Sequence, residues 1–176
     1  MLNLLQKYRH RALSRPSSKQ EYVRYLLALP EHAWIAAHPG VQRCFDELFT
    51  RVPLALVADL LRHPFCFVPA ADFKEKGAAR FHMKNTIVVF PEFEQLLRKG
   101  EGAGVAFLAH EMAMVLYELE NAADKDPLMA EVEADKFVCD LGLAEELEQL
   151  LLAQDESDGK RLRLTYLTLN AFGIDN

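Results

Sequence analysis

With 176 residues, 51% apolar and 10% aromatic, the chain carries enough hydrophobic side chains for one core without staples. Its three scattered cysteines, Cys44, Cys66 and Cys139, exclude a disulfide framework and a cysteine-rich zinc finger, and suit a reducing compartment. The net charge of −6 is uneven: residues 1–25 hold six basic side chains against Glu21, whereas residues 111–158 hold fifteen acids against Lys125 and Lys136. The acidic half argues against nonspecific nucleic-acid binding, and the basic arm reads as a solvated helix face.

The N-terminus has no apolar run of signal-peptide length, and no stretch approaches the roughly 20 residues needed to span a bilayer. The expectation is a soluble cytoplasmic protein with no membrane partner, folded as a single domain over 1–176. Ser14 to Ser18 is a polar break, and Ser18 with Glu21 forms a capping box. That box opens a helix through Tyr22, Leu26 and Leu29, which Pro30 stops. Residues 31–37 read as helix until His38-Pro-Gly40; further helices follow near 41–50 and 53–62, the latter with Pro53 in its first turn. Together these make a helical N-terminal part over 1–62.

The pattern then changes. Phe65 to Pro69 is short, apolar and β-prone, residues 80–84 alternate polar and apolar, and Asn85 to Phe90 is β-branched. These predict two or three strands of a small mixed sheet, with a loop around Gly77. A short helix over 92–99 should stop at Gly100. From there the chain reads as helices near 104–121, 126–140, 143–153 and 160–171. Asp126 and Pro127 start the second of these, and Gly142 breaks it. The class is α+β.

The helix over 104–121 is apolar all round, which marks it as buried. His110 and Glu111 are its only ionisable groups before Tyr117. Burying both costs several kcal/mol unless each finds a partner or a metal, with roughly that magnitude expected for unpaired charges. On the next helix Glu131 and Asp135, four residues apart, share a face, and Glu133 is rotated away.

His110-Glu111-x-x-Met114 followed by Glu131-x-x-Ala-Asp135 resembles the gluzincin branch of the zincin metallopeptidases over about residues 80–140. The resemblance implies a zincin-like core over 63–176. In it His110 and Glu131 would be zinc ligands, Glu111 the general base, and Asp135 the carboxylate that orients a ligand histidine. The cofactor would be Zn, activating a water for peptide-bond hydrolysis, and a peptide or protein partner would lie along strand 85–90. Met114 stands where the family has its second histidine. A thioether is a soft, weak ligand, leaving two strong donors where catalytic zinc takes three. His82, on the segment before the helix, is the candidate substitute. Two expectations follow: a zinc peptidase weakened by Met114, or a zincin-fold binding or regulatory protein without turnover. A di-iron bundle is excluded because no Glu-x-x-His pairs recur on two helices.

Overall fold

A computed structural model describes residues 18–53, 56, 65–71, 85–120 and 127–171. The chain opens with α1 (Lys19–Leu27), whose N-cap Ser18 accepts a hydrogen bond from Glu21 N at 3.3 Å. Pro30 ends this run and starts a 3-10 turn (Pro30–His32), which leads into the single-turn α2 (Ala33–Ala36). The break expected at His38–Gly40 falls on His38 alone. Its extended backbone lets Pro39 occupy the first turn of α3 (Pro39–Arg51), so Gly40 is already helical. Most of the helix expected over 53–62 lies outside the described residues.

Strands β1 (Phe65–Pro69) and β2 (Asn85–Val89) pair in parallel, Phe67 opposite Ile87. Parallel pairing needs a crossover of about a dozen residues or more, which the intervening segment supplies. A mixed sheet is therefore not seen among the described residues. The 80–84 segment expected to contribute a strand lies outside them, as does the Gly77 loop. Among the described residues, the outer edge of β1 meets side chains from the 3-10 turn and α2. The Phe67 N–H donates to His32 Nε2 at 2.9 Å, and Trp34 Nε1 donates to the Phe67 carbonyl at 3.0 Å.

Pro91 begins α4 (Pro91–Lys99), and Gly100, with φ 69°, ends it. Next come α5 (Gly102–Glu120), α6 (Pro127–Asp140), α7 (Ala144–Leu152) and α8 (Asp158–Ala171). Helix α8 starts two residues earlier than expected because Ser157 Oγ accepts from Lys160 N at 3.1 Å. The chain is mostly helical with one small sheet, an α+β protein.

Helix α5 is the centre of the molecule, packed by α3, α4, α6 and α7. Val105, Ala106, Leu108, Ala109 and Met112 have no exposed surface. Burial of its larger side chains contributes roughly 1.5–3 kcal/mol each, which offsets the cost of taking His110 inside. Two glycines position its neighbours. At Gly40 a Cβ would lie 2.0 Å from the Arg98 carbonyl oxygen, so α3 can approach α4 this closely only without a side chain. At Gly142, φ 72°, the chain leaves α6 through a left-handed residue and turns directly into α7. Among the described residues no helix is long and apolar enough to cross a membrane.

Candidate functional site

The all-round burial of α5 carries His110 inside, where it is 8% exposed, while Glu111 beside it is half-buried. The i, i+4 spacing on α6 turns Glu131 and Asp135 toward α5 and leaves Glu133 exposed. The two helices thereby bring three sequence-predicted residues together. His110 Nε2 lies 3.2 Å from Glu131 Oε2, and His110 Nδ1 lies 3.2 Å from Asp135 Oδ1. Each ring nitrogen faces a carboxylate oxygen. A neutral imidazole would set one nitrogen lone pair against an oxygen lone pair, so the arrangement requires a positive charge: a second ring proton or a cation.

The fourth member comes from α8 and was not anticipated from the sequence. Arg163 Nε and Nη2 each approach an oxygen of Asp135 at 2.7 Å, a bidentate fork on a carboxylate with no exposed surface. Its Nη1 lies 2.6 Å from Glu131 Oε2. That oxygen is buried yet accepts no hydrogen bond of proper angle, so its approaches to Arg163 and His110 are ion contacts without a directed donor. Arg163 Nη2 also lies 3.4 Å from His110 Nδ1. With the ring doubly protonated both atoms are donors, and this contact repels instead of bonding.

The titration directions follow from this geometry. Burial alone would neutralise His110, but its contacts with Asp135 and Glu131 outweigh burial and the nearby Arg163, and hold its pKa above the ordinary 6.5. Asp135, pushed up by burial, is carried below the usual range by His110 and Arg163. Contact with His110 lowers Glu131 against the opposing effect of burial. Burial raises Glu111, with His110 pulling the other way. The result is a balanced cluster of two cations, His110 and Arg163, and two anions, Glu131 and Asp135.

A cavity of about 200 Å³ opens at this cluster, lined by His110, Glu111, Glu131 and Arg163 together with a stacked pair, Phe93 and Phe107. Helices α4 to α8 all contribute to it.

These residues do not fit a catalytic zinc. Two donors on one tetrahedral zinc would stand about 3.3 Å apart, close to the His110–Glu131 spacing, but so would a plain charge contact. The deciding feature is Arg163. Its guanidinium already touches the Glu131 oxygen that would bind the metal and occupies both oxygens of Asp135, and a second cation there meets repulsion at close range. Met114, half-buried one turn after His110, offers only a thioether. His82 lies outside the described residues. Among the described residues no three His, Cys, Asp or Glu side chains are grouped to hold a metal.

Arg163 escaped sequence reasoning because α8 buries charge where apolar residues are expected: Lys160 and Arg163 are inside, whereas Leu162 and Leu169 are exposed. The available signal was indirect. The acids of residues 111–158 have almost no basic partners within that segment, and Lys160-Arg-Leu-Arg163 is the next basic run. Compared with family models, curated proteins and solved structures, the chain matches none.

Proposed function

We propose that this chain is a zincin-like binding or regulatory protein in which Arg163 has taken over the charge-neutralising role of a metal, leaving a ligand cavity without hydrolytic turnover. The observation that carries the reading is the Arg163 guanidinium on Glu131 and Asp135, the two carboxylates that the gluzincin resemblance assigns to the metal and to its orienting partner. An always-charged guanidinium cannot lower the pKa of a bound water as zinc does, nor leave an open coordination position. Glu111 would then have no activated water to deprotonate.

The second support is what remains around the cluster. Buried ion pairs seldom stabilise more than apolar side chains of similar volume. A polar floor under an open cavity is therefore better explained by recognition than by stability. A peptide or protein lying along β2 is the partner that the resemblance suggests, with the cavity receiving part of it.

Metal analysis and a hydrolysis assay on the purified chain test this. The expected result is far less than one zinc per chain, with peptide hydrolysis no faster than in Glu111→Gln. Met114→His combined with Arg163→Ala should take up zinc, because a third donor is added and the competing cation removed; Met114→His alone should bind much more weakly. One zinc per native chain, lost on Glu131→Gln, or hydrolysis abolished by Glu111→Gln, would overturn the reading.

A further inference from the structure

We infer that the cavity lined by α4 to α8 binds a small organic ammonium ion, with Glu111 as its counter-charge and the Phe93/Phe107 pair against its apolar body. The inference rests on the reading that Arg163, not a metal, neutralises the cluster. The charge inventory of the site then leaves one group over. His110 and Arg163 balance Glu131 and Asp135 through the contacts at 2.6–3.2 Å, and among the described residues that line the cavity Glu111 is the remaining carboxylate. It lines the cavity with no hydrogen bond or ion pair to any other described residue. An ammonium supplies the hydrogen-bond donors that this carboxylate lacks, and adds a charge in contact to the more distant pull of His110 and Arg163.

An anion is disfavoured by the same geometry. Every nitrogen of Arg163 faces a carboxylate, so among the described residues the lining presents no free cation. A neutral ligand would fill the space but leave Glu111 further desolvated with no cation in contact with it. The apolar lining sets the rest of the ligand. Phe93 and Phe107 are stacked with centroids 4.2 Å apart and planes 7° from parallel, and Leu147 and Leu150 continue the apolar surface. At about 200 Å³ the space suits a body somewhat larger than benzene, since a cavity of about 150 Å³ holds benzene itself.

The test uses three probes of nearly equal size, benzylamine, benzyl alcohol and benzoate, titrated into the full chain near neutral pH with a chelator present. Binding is followed by amide chemical shifts and calorimetry. Benzylamine should bind at least tenfold more tightly than either other probe and shift the amides of Phe107 to Glu111. Glu111→Gln should lose at least tenfold of that affinity while its thermal midpoint does not fall. Leu150→Trp, which fills the cavity from its apolar side and leaves Glu111 intact, should also abolish binding. Equal affinity for benzyl alcohol, undiminished binding in Glu111→Gln, or no binding of benzylamine to a metal-free chain would overturn this inference and leave the arginine reading standing. Stoichiometric zinc in the chain before chelation would instead remove the reading on which it rests.

Discussion

Replacing Arg163 by alanine should be among the most damaging single changes in the molecule. The guanidinium side chain is 10% exposed and grips Asp135, which has no exposure, through two contacts of 2.7 Å. Removing one partner of such a pair leaves a buried charge uncompensated, at a cost of about 3–5 kcal/mol. The Glu131 contact adds less, because that side chain is 35% exposed and solvent screens it. For a chain of this length each kcal/mol corresponds to about 2–4 °C, so the thermal midpoint should fall on the order of 10 °C. Urea unfolding of Arg163→Leu, Asp135→Leu and the double variant completes the test. If the pair acts as a unit, the double variant recovers at least ~2 kcal/mol relative to the sum of the singles. A loss within about 1 kcal/mol for Arg163→Ala, or strict additivity in the cycle, would refute the argument that this arginine neutralises the site.

Acid pH should weaken the fold through His32. Burial lowers its pKa, opposed by its bond to the Leu26 carbonyl, so the folded ring stays neutral while the unfolded one takes a proton below about 6.5. Its contribution is full above that pH and lost below it, and in His32→Gln the stability slope between pH 7 and 5 should flatten; an unchanged slope would count against the assignment. His110 acts with the opposite sign. Its raised pKa gives stability that is full below 6.5 and lost as pH rises through the folded value, so His110→Gln should remove a decline on the alkaline side, read by denaturant titration. Gly40→Ala should destabilise by about 2 kcal/mol or more, since the new Cβ would meet the Arg98 carbonyl at 2.0 Å; a midpoint unchanged in thermal melts would mean that α3 and α4 can slide apart freely.

The elements that could be read from the sequence were those that a few neighbouring residues determine. Ser18 with Glu21, Pro91, Gly100 and Gly142 each act within one turn of their own position, and the helix ends fall there. The meeting of His110 with Glu131 and Asp135 was also legible, since the burial of α5 and the i, i+4 spacing on α6 leave those groups one face to share. The sheet was less so. Whether β1 and β2 run parallel depends on the path between them, which short alternating segments do not encode. Nor does periodicity announce that His32 and Trp34 would meet the outer edge of β1. Arg163 was the hardest. It lies 28 residues beyond Asp135 on a helix whose buried stripe runs through Lys160, Arg163 and Leu167, against the apolar pattern of α8. Only the tertiary demand of a buried carboxylate for a cation explains a charged residue there.

The most direct measurement is anomalous diffraction at the zinc edge from crystals soaked in zinc. The arginine account predicts no peak between His110 and Glu131, with the guanidinium still forked on Asp135. A strong peak about 2 Å from both His110 Nε2 and a Glu131 oxygen, with Arg163 swung away, would contradict it.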